Sequence, residues 1–149
     1  MLILVLFCAG ATAAQEVASR SVMVNVNLAT RTSLKVSSRL LQFEVTRPGG
    51  VATAAIDFTA GARMPAGCDV VLTVEPLDPL DGFGETRDAE LSFVGEGPGM
   101  LAGSLPASRS TVVGRWQGSG LREGRVIFSL RASAAGRYSL PVRVVLSTP

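Results

Sequence analysis

Histidine is absent from the 149-residue chain. That removes the usual general base and the commonest transition-metal ligand. Cysteine is almost absent, with Cys8 and Cys68 only, and Cys8 falls in a segment expected to be cleaved. A single remaining thiol cannot close an intrachain disulfide, so stability has to come from packing. Aromatic residues make up 5% of the chain, and Lys35 is the sole lysine. The net charge of +2 is the balance of 12 acids against cations that are, Lys35 apart, arginines spread along the chain without adjoining. A nucleic-acid surface needs clustered cations and stacking rings, so that partner class is not expected. The arginines read instead as solvated outer-face positions that discourage strand-to-strand aggregation. Helical periodicity is missing too: nothing after the N-terminal segment repeats apolar residues at i, i+3, i+4 and i+7.

What is present begins with a leader. Leu2 to Ala9 is continuously apolar and is followed by small residues through Ala14, with Ala11-Thr12-Ala13 fitting a signal-peptidase site and Thr12-Ala13-Ala14 fitting almost as well. The run falls short of the roughly 20 apolar residues that span a bilayer. Residues 1–14 are therefore expected to be a signal peptide and residues 15–149 one exported domain without a membrane span. Leu2 directly after Met1 leaves no charged segment ahead of the run, so whether Met1 is the true start stays open. A lipid anchor on Cys8 is disfavoured because Phe7 stands where a small residue would be needed.

The rest of the chain is written in period two, the spacing of side chains on a half-buried strand. Val22, Val24, Val26 and Leu28 share one phase, and after Thr30-Arg31-Thr32 the pattern resumes with Leu34 and Val36. Leu41, Phe43 and Val45 lead into Arg47-Pro48-Gly49-Gly50, which is turn chemistry. Ala54, Ile56, Phe58 and Ala60 form the next inward set, with Gly61–Gly67 expected as a loop. Cys68, Val70, Leu72 and Val74 are in phase up to Glu75-Pro76, and Cys68 reads as a small buried residue rather than a reactive thiol. Leu91 and Phe93 mark a short strand, and Glu96–Ser110 reads as a loop or irregular edge. Val112, Gly114 and Trp116 are in phase, and Ser119–Gly124 reads as a turn. The final stretch holds two runs, Val126, Phe128, Leu130, Ala132 and then Tyr138, Leu140, Val142, Val144, Leu146, separated by Ala134-Ala135-Gly136-Arg137. It reads as an antiparallel pair closing a sheet. Pro141 removes one ladder donor and points to an edge or a bulge there. Short strands at this spacing, with turns between them, predict an all-β fold: an immunoglobulin-like, two-sheet antiparallel β-sandwich of about eight strands.

Sites are harder to find. Asp78, Asp81, Glu85, Asp88 and Glu90 form the densest acidic cluster, and a loop of carboxylates is the donor type calcium takes. Their spacing matches no EF-hand, so solvated loop carboxylates are the expectation, with calcium left open. A pair of these acids in glycosidase chemistry is disfavoured, since nothing marks one as buried or protonated. No serine carries a nucleophile elbow or an activating base. Gly95-Glu96-Gly97-Pro98-Gly99 is glycine-rich but has no following helix or lysine for a phosphate. Trp116 could stack on a sugar ring, yet its phase with Val112 favours the core. No catalytic, cofactor-binding or metal-ligating residue is assigned, no cofactor is implied, and the chain is not expected to be an enzyme.

An alternating strand just after a leader, Ser33-Leu34-Lys35-Val36 and Leu41-Gln42-Phe43 ahead of a Pro-Gly-Gly turn, and a last strand introduced by Ala134-Ala135-Gly136-Arg137-Tyr138 carry a resemblance. The chain resembles bacterial secreted pilin and coat-type β-sandwiches, of the chaperone–usher and spore-coat-U kind. The resemblance implies a domain lacking its last strand, which the N-terminal extension of the next subunit supplies. The chain departs from that pattern in lacking a disulfide near its first strands and a C-terminal aromatic. It implies a structural or surface-assembly subunit, secreted, periplasmic or on the cell surface, that partners itself through Val22, Val24, Val26 and Leu28 or binds another surface protein. The alternative is a secreted binding or accessory module for a carbohydrate or protein. For the isolated chain, docking of Ser21–Ala29 in cis is expected, with Thr30-Arg31-Thr32 as the kink where the strand changes sheets.

Overall fold

A computed structural model of the chain describes residues 30–77, 89–106 and 109–149. The expected leader with Cys8, the Ser21–Ala29 run, and Asp78, Asp81, Glu85 and Asp88 lie outside the described residues. The described residues form nine strands and no helix: β1 (Arg31–Val36), β2 (Leu40–Val45), β3 (Val51–Arg63), β4 (Asp69–Pro76), β5 (Glu90–Glu96), β6 (Ala102–Ser104), β7 (Thr111–Gln117), β8 (Gly120–Arg131) and β9 (Gly136–Ser147). They assemble into two antiparallel sheets, ordered β1-β3-β8-β5-β6 and β2-β9-β4-β7.

Both sheets turn their apolar phase toward one shared core. Ile56, Phe58, Phe93, Val126, Phe128 and Leu130 enter it from the first sheet, and Leu41, Phe43, Val70, Leu72, Leu140 and Val142 from the second. Phe128 and Leu130 are fully buried, and no polar or charged residue is buried among the described residues. Each fully buried aliphatic or aromatic side chain contributes roughly 1.5–3 kcal/mol, so the layers need no cross-link to adhere. The arrangement is sandwich-like, as the alternation predicts.

The chain passes between sheets at defined joints. Between β2 and β3, Gly50 N–H donates to Arg47 C=O at 2.9 Å, and Gly49 has φ +71°. Pro48 followed by a left-handed glycine is the signature of a type II turn. Between β7 and β8 only Gly118 and Ser119 intervene. Ser119 Oγ accepts from Met64 N–H at 2.8 Å and donates to Met64 C=O at 2.9 Å, pinning this joint to the end of β3.

Four local expectations are corrected. The runs of β8 and β9 do not pair with each other: β8 lies between β3 and β5, while β9 lies between β2 and β4. The small-residue break between them crosses from one sheet to the other, so their apolar faces meet through the core. Gly61–Arg63 is strand rather than loop, because β1 and β8 pair with it on both sides. Gly61 is accommodated there since Ser33 packs across it; an added Cβ would lie 2.6 Å from Ser33 Oγ. Gly120–Gly124 is the first part of β8, not a turn. The β4–β7 register shifts between Leu72 and Thr73, which face Gly114 and Val112. Val113 is the extra residue, and it rather than Val112 is fully buried, as a bulge re-aims side chains. Arg31 and Thr32 belong to β1 and pair with Arg63 and Ala62, and the chain passes to the second sheet at Ser37–Arg39; the expected change of sheet out of Ser21–Ala29 lies outside the described residues.

Pro141 sits in an inner strand, at the point where β9 changes partners. It faces Leu40 of β2, whereas Val142 begins the pairing with Pro76 of β4. The missing donor falls where one ladder gives way to the next, so neither an edge position nor a bulge is required.

Candidate functional site

Two sheets laid face to face have two sides where their edges approach, and here those sides differ. On one, β5 and β7 are bridged by the segment between β5 and β6. Gly95 N–H donates to Leu101 C=O at 2.8 Å, Leu101 N–H to Val113 C=O at 2.9 Å, and Arg115 N–H to Gly99 C=O at 2.8 Å. Met100 forms a bridge to Gly114. Main-chain hydrogen bonds therefore run from the first sheet through Gly99–Leu101 into the second.

The other side is bounded by β1 and β9, and it is only half closed. β2 pairs with Gly136–Pro141 of β9, and the ladder ends where Val142 N–H donates to Arg39 C=O at 2.9 Å. Main-chain groups on a strand alternate in direction, so those of Val144 and Leu146 aim the same way as those of Val142. No described strand pairs with them on that side. In β1, Ser37 N–H donates to Asp57 C=O, and by the same alternation Val36 and Leu34 present their main chain away from β3. Leu34, Val36, Val144 and Leu146 pack against the core but are only partly buried. Among the described residues the result is an apolar seam flanked by two strand edges without a partner strand, the arrangement that accepts an added strand.

Among the described residues, shallow concavities lie on the outer faces. One, of about 470 Å³, lies over Gln42, Glu44, Arg137 and Ser139 at the β2–β9 junction. Another, of about 240 Å³, lies over Val51, Glu90, Ser92, Ser129 and Arg131. Charges on these faces pair across strands: Arg137 with Glu44 at 3.8 Å, Arg143 with Glu75 at 3.6 Å, and Arg125 with Asp57 at 2.6 Å. The last pair is bidentate, with Arg125 Nε and Nη2 donating to the two carboxylate oxygens of Asp57. That hydrogen bonding holds the Asp57 carboxyl below its usual value and raises the Arg125 guanidinium. Both side chains are about half exposed, where such a pair contributes little to stability.

Of the residues singled out in the sequence, Glu90, Trp116, Cys68, Gly97 and Gly99 are described, and they are spread over separate elements of the fold. Glu90 opens β5 as an exposed residue, and the remaining acids of that cluster lie outside the described residues. Among the described residues no group of three or more metal-ligating side chains comes together. Trp116 is 9% exposed and belongs to the core, so its ring face is not presented to a ligand. Cys68 is a free, half-buried thiol packed against the core just before β4. Gly97 and Gly99 have φ +124° and +75° and shape the bridging segment. Sequence reasoning missed the open seam: the phase of Leu34, Val36, Val144 and Leu146 was readable, but their incomplete cover was not. Among the described residues no helix is long and apolar enough to cross a membrane. The sequence matches no protein-family model and no curated protein.

Proposed function

We propose that the chain is an exported, non-enzymatic structural or surface-assembly subunit, pilin- or coat-like, that joins to copies of itself by strand addition. The observation that carries this reading is the open seam between β1 and the second half of β9. In an immunoglobulin-type sandwich, sheets ordered A-B-E-D and C-F-G face each other. β1-β3-β8-β5 follows the first order, and β4-β9 followed by β2 follows the second. Tyr138, near the start of β9, donates its hydroxyl to Ala134 C=O at 2.7 Å, in the manner of the tyrosine corner of that fold. β2 fills only half of the last-strand position, and the half beside Val144 and Leu146 is vacant among the described strands. The alternating residues Val22, Val24, Val26 and Leu28 have the pattern to fill it, from this chain or from a neighbour. Export places the assembly outside the cytoplasm: secreted, periplasmic or on the cell surface.

Size-exclusion chromatography of residues 15–149 and 30–149 over a range of concentrations tests the reading. The longer form is expected to oligomerise as concentration rises, and the shorter form to remain monomeric. A longer form that stays monomeric throughout, merely more heat-stable than the shorter, would establish docking in cis and end the assembly reading. The polar concavity over Gln42, Glu44, Arg137 and Ser139 favours the second reading, a binding or accessory module for a carbohydrate or protein. A glycan array and partner capture that respond to Arg137→Ala would support it.

A further inference from the structure

The bridged side of the sandwich is held by one side chain in a slot cut by two glycines. Met100 lies between Gly95 of the first sheet and Gly114 of the second. A Cβ added at Gly95 would stand 2.7 Å from Met100 Cβ and 2.9 Å from its Cε. A Cβ added at Gly114 would stand 2.9 Å from Met100 Sδ and 3.1 Å from Trp116 Cζ3. Sulfur and indole edge thus share the space above Gly114, a favourable pairing for a polarisable thioether. A side-chain atom at either glycine would collide with Met100. Yet Met100 is only partly buried, in contrast to Met64, which is 5% exposed.

We propose that Met100 is an oxidant-sensitive latch, whose conversion to methionine sulfoxide by hydrogen peroxide releases Gly99–Leu101 and opens the β5–β7 side. A sulfur lone pair attacks one peroxide oxygen, the O–O bond breaks, an S–O bond forms, and the departing hydroxide takes the proton from the new S–OH group to leave as water. The thioether is oxidised by two electrons and the peroxide is reduced. The product is polar and larger at sulfur, with an oxygen that seeks a hydrogen-bond donor. Above Gly114 it meets the indole edge and apolar atoms, so the side chain leaves the slot. The amides of Leu101 and Arg115 then lose their acceptors on Val113 and Gly99. The inference is independent of the assembly reading, because it concerns the opposite side of the sandwich.

The experiment treats the folded full chain with hydrogen peroxide and maps sulfoxide by peptide mass spectrometry. Met100 is expected to gain one oxygen while Met64 is protected. The emission of Trp116, the only tryptophan, is expected to shift to the red, and Tm to fall by about 3–6 °C. Hydrogen exchange at the Leu101 and Arg115 amides is expected to accelerate by about tenfold or more. Methionine sulfoxide reductase should reverse these changes, and Met100→Leu, which keeps the packing, should prevent them. Full oxidation of Met100 without change in emission, Tm or exchange would overturn the proposal. So would a Met100 as resistant as Met64, or an unchanged response in the Met100→Leu protein.

Discussion

The two sides of the sandwich solve the same physical problem differently. Where two sheet edges face each other, main-chain groups must find partners, and core residues beneath them must be covered. On the β5–β7 side, glycine-rich backbone runs between the edges and supplies both, with Met100 as the cover. On the β1–β9 side, β2 closes half the gap, and beyond Arg39 no described strand pairs with the edges of β1 and β9 above Leu34, Val36, Val144 and Leu146. The difference teaches that closure depends on backbone that can approach closely, which Gly95, Gly99 and Gly114 permit and which no described segment supplies on the β1–β9 side.

The comparison can be broken most forcefully from beneath. Phe128 is fully buried in the core that both sides cover, so Phe128→Ala is expected to cost about 3–5 kcal/mol in urea unfolding. Loss confined to one side would mean that the sheets do not share a core. Next in size is Gly95→Ala, which drives a methyl into Met100 and Leu101. It is expected to cost about 1–3 kcal/mol and to perturb Trp116 emission, as overpacking does. Leu146→Ala, on the open side, removes a partly buried side chain and is expected to cost only about 1 kcal/mol, with Trp116 emission unchanged. Equal costs at the two positions would erase the distinction drawn between the sides.

The smallest effect belongs to the outer face, which serves neither side. The Arg125 guanidinium lowers the Asp57 pKa below its usual 3.8. The pair's contribution is therefore present above that value and is lost as pH falls through the lower folded one. Asp57→Asn is expected to flatten the pH dependence of Tm in this acidic range and to leave neutral-pH behaviour nearly unchanged. A large loss at neutral pH would show that the pair holds β3 to β8.

Much of the fold was legible because its residues obey a local rule. The inward phases of Leu41, Phe43 and Val45, of Val126, Phe128 and Leu130, and of Tyr138, Leu140 and Val142 follow from alternation alone. Partnership was not legible, since a strand's neighbour is chosen by its whole face. β8 and β9 adjoin in sequence yet lie in different sheets. Gly61 and Gly120 read as breakers, but neighbouring strands hold them in the ladder. The bulge at Val113 shifts the inward phase by one residue, which a strict period of two cannot anticipate. Of the candidate site, the glycine cluster around Met100 was visible as composition only. Its role depends on Gly114, far along the chain.

By itself, then, the sequence determined that this protein is all β, packed without disulfides among the described residues, and which residues of each strand look inward. Side-chain direction on a strand depends only on position, so composition and period suffice for that. Tertiary structure alone decided which strands pair, which of the two sides is stitched, and where the described strands leave an edge without a partner. Those outcomes depend on hydrogen bonds and close approaches between residues distant in the chain, and no local pattern encodes them.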